Sequence, residues 1–253
     1  MKIIIPMAGK SIRFFKENYT SPKYFLKIGK KFVIEIVMNM FDENDEIYLI
    51  FSQEQKKRYS KNIEYLKKIK KNIQIKYIED HSKGPVYSIL SANFDFYESD
   101  IIVAYNDVLV DWNYKEFLRV VKGYDGAIVS FKGFHPASFS GTLYCYLKSK
   151  NKLVKDLREK KSYTSKPYNE PASGGIYYFD SLKNFLESAS KLIKSKNKAI
   201  KNEFYVSQVY LNYIKLKKNI LDYEVDKFIS LGAPKDYEVF LYWKNYFQKY
   251  EKS

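Results

Sequence analysis

Gly9, Lys10, Arg13 and Lys23 follow the apolar run KIIIP in quick succession. A glycine directly after a strand lets the backbone turn sharply and lets an anion reach main-chain N–H groups with no Cβ in the way. Arginine clamps a phosphate with two parallel N–H bonds. Lysine brings a compact charge on a flexible stem. A plain surface turn could carry solvated cations too, but it has no need of a lysine set behind Pro22. The stretch is neither a P-loop nor a dinucleotide fingerprint, because its glycine spacing differs and no GKS or GKT follows. An anionic, phosphate-bearing ligand is the chemistry these residues suit.

Further along, Asp107 ends the apolar segment DIIVAYN, where a carboxylate could hold a hard cation such as Mg²⁺. Asp111 is read as structural. Gly84, Pro85 and Ser88 open a helix, and the glycine turn leaves backbone N–H and C=O groups open to a ligand. Glu159 and Lys160 close a strand-like run, where a structural ion pair is the plainer reading. His81 and His135 are the only histidines, too few for a histidine-rich metal site, and His135 reads as a loop residue. Cys145 is the single cysteine, so no disulfide forms within the chain; it sits in an alternating strand and is not read as a nucleophile.

These residues need elements to position them. KIIIP, EIYLIFS, IQIKYIED and DIIVAYND read as strands. FVIEIVMNMF, with Val33, Ile36, Val37 and Met40 at helical spacing, and SQEQKKRYSKNIEYLKKI, led by a serine cap, read as helices between them. The alternation predicts an α/β fold with a mainly parallel sheet and ligands at the carboxyl ends of its strands. GAIVSFKG, GTLYCYLKS, NKLVKDLREK and SGGIYYFDS are further strands, and SLKNFLESASKLIKSK and EFYVSQVYLNYIK further helices. DYEVFLYWKNYFQKY is a final helix whose aromatic residues either close the core or make a homo-oligomer contact.

No Pro/Ser/Gly-rich linker divides the chain, so residues 1–253 are expected to form one domain. The net charge is +15. The lysines are scattered and no RNA- or DNA-binding signature accompanies them, so nucleic acid is not the expected partner. A positive field would also gather a small phosphorylated substrate. No apolar run reaches the ~20 residues of a membrane span, and the opening segment is too short for a signal peptide. A cytoplasmic protein without membrane insertion is expected.

The segments PMAGKSIRF and SPKYFLKIGKKFVIEIV resemble the signature of the nucleotidyltransferases that make nucleotide-activated sugars and alcohols. KGPVYSILSA, IIVAYNDVLVDWN, LREK with ASGGIYYFD, NEFYVSQVYLNYI and FISLGAPKDYEVF resemble later family segments, in order. The likeness is to enzymes of bacterial capsule and surface-polysaccharide loci, of the glucose-1-phosphate thymidylyltransferase and phosphocholine cytidylyltransferase kinds. It implies a Rossmann-like α/β/α domain of the nucleotidyltransferase and GT-A type, with a mixed, mainly parallel central sheet and a small β-rich acceptor lobe, residues 1–120 forming a nucleotide-binding half and 121–253 an acceptor half.

The resemblance also implies a Mg²⁺-dependent reaction, with Mn²⁺ as an alternative. A nucleoside triphosphate would lie over Met7, Ala8, Gly9, Lys10 and Ser11, with Gly84, Pro85, Ser88 and Asn106 completing its site. Arg13 would steady the triphosphate and leaving pyrophosphate, and Lys23 the α-phosphate, as the catalytic pair. Asp107 would hold the metal. Lys160 would meet the acceptor phosphate, Glu159 its polar groups, and Gly175 would leave it room. CTP is slightly favoured over UTP or dTTP, with a sugar 1-phosphate, phosphocholine or a phosphorylated amino compound as acceptor.

The chain departs from the pattern in several places. Ser11 stands for a loop glycine, Tyr24 and Phe25 for Pro-Leu, and Ser230 for a second metal-binding aspartate, with Glu203 or Asp226 as substitutes to consider. A family-2-like glycosyltransferase is the first alternative, but Leu109 breaks the Asp-x-Asp pair it usually carries. A nucleotide-binding protein with a degraded site is the second.

Overall fold

The computed structural model describes residues 1–133, 144–195 and 199–250; His135 lies outside them. Four strands build the first half: β1 (Lys2–Pro6), β4 (Glu46–Ser52), β5 (Ile73–Ile78) and β6 (Ile101–Ala104). They stand parallel in the order β5-β4-β1-β6. The apolar runs of β1, β4 and β6 are continuous because both faces are covered, whereas β5, at the sheet edge, alternates with Gln74 and Lys76. Ile3 and Ile5 pack on one side of the sheet with Leu49 and Phe51, while Ile4 packs on the other with Tyr48 and Ile50. Burying each such isoleucine contributes about 1.5–3 kcal/mol.

The crossovers are short helices. α1 (Ile12–Lys16) and a small hairpin, β2 (Lys27–Ile28) with β3 (Lys31–Phe32), precede α2 (Val33–Met38). The helix expected from Ser52 onward is two, α3 (Gln53–Arg58) and α4 (Ser60–Ile69). Tyr59 leaves helical geometry between them and packs edge-on against Phe25. The serine cap forms as expected: Ser52 Oγ accepts from the Gln55 N–H, and Gln55 Oε1 from that of Ser52. α5 (Pro85–Ser91) follows β5, and a short strand, β7 (Val108–Asp111), follows β6.

The second half extends the same sheet. After α6 (Tyr114–Val121) come β8 (Gly126–Phe131), β9 (Cys145–Lys150), β10 (Leu153–Glu159), β11 (Ala172–Phe179), α7 (Leu182–Lys194), α8 (Tyr210–Lys215) and β12 (Ile220–Glu224). The sheet continues β6-β11-β8-β12-β10-β9 to nine strands, and here the pairings are antiparallel except that of β8 with β12. β13 (Lys227–Ser230) pairs with β7, and α9 (Pro234–Tyr250) closes the described chain. The segment read as one helix from Glu203 begins instead as a 3-10 turn over Val206–Val209, ahead of α8. Tyr237, near the start of α9, is buried, whereas Tyr242, Trp243, Tyr246, Phe247 and Tyr250 are exposed. The far end of that helix therefore does not close the core. No helix of the described residues is long and apolar enough to cross a membrane.

Candidate active site

A cavity of about 460 Å³ opens at the carboxyl ends of β1 and β6 and runs to the ends of β10 and β11. Its wall includes every residue singled out from the sequence as a site residue except Met7. Met7 is fully buried in the core, its N–H donates to Ile50 O at 2.8 Å, and its carbonyl accepts from Gln55 Nε2 at 2.9 Å. It has no group left to offer a ligand through its N–H or side chain, and the expectation for Met7 is corrected accordingly.

The loop after β1 turns through Gly9 into α1. A Cβ at Gly9 would meet nothing within 4 Å, so the backbone there borders open space. Ser11 sits at φ 50°, the left-handed conformation a glycine takes without cost. It holds this shape while its Oγ accepts from the Lys23 N–H at 3.3 Å. The departure from glycine thus keeps the turn and adds a tie to the second cation. Lys10 and Arg13 are exposed, and neither has an ion-pair partner within 4.0 Å among the described residues.

Lys23 opens a 3-10 turn behind Pro22. The next two residues, Tyr24 and Phe25, are buried, and Gln55 Nε2 donates to the Tyr24 hydroxyl at 2.8 Å. They anchor the turn so that Lys23 faces the cavity, where its Nζ pairs with Asp107 Oδ2 at 2.5 Å. Asp107 is 9% exposed, and its carbonyl accepts from the Leu231 N–H at 2.8 Å. Beside it, Asn106 Nδ2 donates to Pro6 O at 2.7 Å, joining the ends of β6 and β1, while Asn106 Oδ1 is buried without a partner. Asp111 points elsewhere and pairs with Lys227 at the surface.

At Gly84 the φ of 85° and the neighbourhood both demand glycine: a Cβ would lie 2.8 Å from the backbone N and O of Phe204. The close pass locks α5 to the segment bearing Glu203 and Tyr205. Ser88 is buried; its Oγ lies 3.0 Å from His81 Nε2. His81 Nδ1 accepts from the Lys83 N–H at 3.1 Å, so the neutral ring carries its proton on Nε2. Burial, aided by Lys83, holds its imidazole below the ordinary value. Sequence reasoning missed His81 as a cavity residue, because neither periodicity nor spacing tells which way a loop side chain turns.

The far end of the cavity is built on β10 and β11. Ser207 Oγ donates to Glu159 Oε2 at 2.5 Å, and burial pushes the Glu159 carboxyl above its ordinary value. Lys160 takes a φ of 55°, its N–H donates to Tyr144 O at 2.8 Å, and its ammonium donates to the Tyr205 hydroxyl while standing 4.0 Å from that ring's centroid. The Tyr205 hydroxyl in turn donates to Glu203. Burial draws the Lys160 ammonium below its ordinary value, against the pull of Glu159 and Glu203. Glu159 and Lys160 therefore have separate partners and do not form the structural ion pair that the sequence allowed.

Gly174 and Gly175 fall where the register of β11 against β8 shifts. A Cβ on Gly175 would lie 3.0 Å from the ring of Tyr105. The missing side chain makes way for Tyr105, not for open ligand space, which corrects that expectation although Gly175 does line the cavity. Cys145 is buried, with its thiol pushed up by burial, as befits an inert side chain.

A divalent cation can be tested against these groups. Among the described residues no three His, Cys, Asp or Glu side chains gather as a ready cage. The donors beside Asp107 are oxygens, and a Cβ on Gly232 would lie 2.8 Å from Asp107 Oδ2, so the glycine makes room for that carboxylate in the cavity wall. Mg²⁺ typically takes one or two carboxylates and fills the remainder from substrate phosphates and water. The residues fit such an ion.

Comparison with known proteins agrees with this architecture. A bifunctional sugar-1-phosphate nucleotidylyltransferase/acetyltransferase of Sulfurisphaera tokodaii is 30% identical over 183 residues, covering 72% of this chain. The match spans 41% of that relative's length. The nucleoside-diphosphate-sugar pyrophosphorylase of Vibrio cholerae RC9 superposes with a TM-score of 0.78 at 20% identity, covering 94% of this chain and 99% of that one. A UDP-glucose pyrophosphorylase solved with UDP-glucose gives 0.73 at 18% identity, with 98% of each chain covered. At these identities the structures speak for the fold alone, a nucleotidyltransferase α/β fold. The family model for nucleotidyl transferases matches residues 2–243, and the chain belongs to the nucleotidyl transferase family.

Proposed function

We propose that this chain transfers a nucleoside monophosphate from a nucleoside triphosphate to a small phosphorylated acceptor, releasing pyrophosphate. The observation that carries the reading is the Lys23–Asp107 pair at 2.5 Å, beside a loop whose two cations, Lys10 and Arg13, have no ion-pair partner among the described residues. Triphosphate oxygens would draw Lys10 and Arg13. A divalent ion on Asp107 would neutralise charge on the triphosphate and leave Lys23 free to turn to the α-phosphate.

An acceptor phosphate oxygen then attacks the α-phosphorus in line. The bond from that phosphorus to the oxygen bridging it to the β-phosphate breaks, and pyrophosphate leaves with the electron pair. The attacking oxygen is already anionic, so no general base is required. The enzyme's part is to position the two substrates and stabilise charge on the equatorial oxygens and leaving group with preset cations. Lys23, Arg13 and Lys10 do this at the phosphate end. Lys160 meets the acceptor phosphate, and Glu159 its polar groups.

A sugar 1-phosphate is the acceptor class we favour, because Lys160 already occupies the face of Tyr205 that a choline-type cation would need. The preference for CTP and a role in capsule assembly rest on the sequence resemblance. A metal-dependent glycosyltransferase is disfavoured: Asp111, the nearest second acid of that strand segment, is engaged with Lys227 outside the cavity.

The test is pyrophosphate release with Mg²⁺ over a matrix of CTP, UTP, dTTP, GTP and ATP against sugar 1-phosphates, phosphocholine and phosphorylated amino compounds. A productive pair that dies with Asp107→Asn supports the reading. Silence across the matrix, with nucleotide sugars consumed instead, would sink it.

A further inference from the structure

The far end of α9 packs on nothing in its own chain's core, for every residue from Asn245 to Tyr250 is exposed. Just before and within it, Tyr242, Trp243, Tyr246 and Phe247 are 64%, 48%, 51% and 54% exposed. Their rings stack on one another along the helix, Tyr242 with Tyr246 and Trp243 with Phe247, with centroids 6.4 and 5.8 Å apart. Aromatic residues are poor helix formers, and a helix end without a packed face is marginal in water. A contiguous exposed apolar patch marks an interaction surface.

The stripe leads down to a hollow. Glu238, Tyr242, Tyr246 and Lys249 share one side of α9, at i, i+4, i+8 and i+11. At the foot of that side, Glu238 borders an open depression with Glu17, Tyr19, Phe25, Leu26 and Phe32. Its two carboxylates outnumber its one cation, Lys27, whose ammonium lies 5.7 Å from the Phe32 ring centroid. Glu238 accepts from the Tyr19 hydroxyl at 2.8 Å. Glu17, Glu238 and Lys249 have no ion-pair partner within 4.0 Å among the described residues. One side of the helix thus carries acids at its foot, aromatic rings along its length and a cation at its tip.

We propose that this face docks a second copy of the chain, the two α9 helices lying antiparallel about a two-fold axis near Trp243. Eleven residues separate Glu238 from Lys249, about 16 Å along a helix. Antiparallel pairing sets Lys249 of each copy over the acids of the other's hollow, and Tyr246 and Phe247 at its rim. Parallel pairing would set Lys249 against Lys249. The antiparallel contact is the same patch on both copies, so it closes at two. The area is sufficient. Aromatic side chains carry about 150–250 Å² each, so four that are half exposed offer about 400 Å² per copy. The two stripes together bury about 800 Å², and the walls of the two hollows bring the total to the ~1,000 Å² that a specific interface needs. Each chain carries a net charge of +15, which opposes association in general, so the few acids gain weight where they meet lysine across the contact. A lipid surface is the poorer match, because Glu17 and Glu238 on the same side would face anionic headgroups.

The test is sedimentation equilibrium of the full chain over a range of about 1 to 100 μM, which brackets dissociation constants of that order. A mass twice the 30.1 kDa of one chain is expected at the upper end. Phe247→Glu, and independently Tyr246→Glu, should weaken the dimer about thirtyfold, the loss typical of an interface hot spot. Both side chains are exposed, so the fold, checked by circular dichroism, is expected to survive either change. Lys249→Glu and Glu238→Lys should each weaken the dimer, and the two combined should restore it, because the swapped charges meet again across the two-fold. A solvent-facing role for α9 gives no such recovery.

A monomer throughout the range overturns the proposal, and co-sedimentation of that monomer with phosphatidylglycerol vesicles would assign the face to lipid instead. A dimer unmoved by Phe247→Glu and Tyr246→Glu has its contact elsewhere and overturns it as well. A dimer lost in Phe247→Glu but not recovered by the double charge swap overturns the antiparallel pairing.

Discussion

The two ends of the cavity are built on opposite plans. At the phosphate end, Lys10 and Arg13 stand exposed with no ion-pair partner among the described residues, and Lys23 has one partner, Asp107. At the acceptor end, the charges are already answered: Glu159 by Ser207, and Lys160 by Tyr205, which is itself bonded to Glu203. The first end gathers an anion and reorganises when it comes. The second is a preset network in partial burial, where hydrogen bonds are stronger and a missing partner is more costly. A highly charged, flexible triphosphate suits the first plan. A small acceptor that must be told from its relatives suits the second.

Lys23→Ala breaks the comparison most directly. It removes the cation proposed to meet the reacting phosphorus and should lower kcat by about 100- to 1000-fold, on the scale of losing one preorganised charge-stabilising donor, with little change in KM for the acceptor. Steady-state kinetics on the productive substrate pair checks it. Gly84→Ala strikes the joint that holds the two ends together. With a positive φ and Phe204 backbone 2.8 Å from the new Cβ, it should cost about 2–3 kcal/mol of stability, read by chemical denaturation.

Tyr205→Phe sharpens the contrast. It leaves Lys160 without its hydroxyl partner and should raise KM for the acceptor about tenfold, the equivalent of one hydrogen bond to a charged group, while KM for the triphosphate stays put. A rise in both would mean that the ends are not separate. The smallest effect concerns His81. Its folded-state imidazole titrates below its unfolded value of about 6.5. The unfolded chain therefore binds more protons on acidification, and stability should decline gently as pH falls below that value. The decline should flatten in His81→Asn.

Much of the cavity wall around Gly9, Lys23 and Asp107 was legible in the sequence because it is local. A strand, a glycine, two cations and a lysine behind a proline lie within one stretch, and Asp107 ends an unmistakable apolar strand. What escaped was set by distant contacts. The glycine at 84 answers to Phe204 and that at 175 to Tyr105, and neither constraint shows in the residues around it. Met7 read as part of the loop because the alternation KIIIPM gives no sign that its N–H is already taken by Ile50. The strands of the second half were each visible, but their joining of the first sheet, mostly antiparallel, depends on pairings between residues far apart in sequence. Tyr205 lay hidden in a segment whose helical pattern explained it well enough.

The central claim is that the α-phosphorus is the atom attacked. ³¹P nuclear magnetic resonance of the reaction mixture, run with Mg²⁺ and the productive triphosphate and acceptor, reads this directly. The proposed reaction predicts pyrophosphate together with a new pair of coupled diphosphate signals from the nucleotide-linked acceptor, both absent with Lys23→Ala. Orthophosphate with a nucleoside diphosphate, or release of nucleoside diphosphate from an added nucleotide sugar, would contradict it.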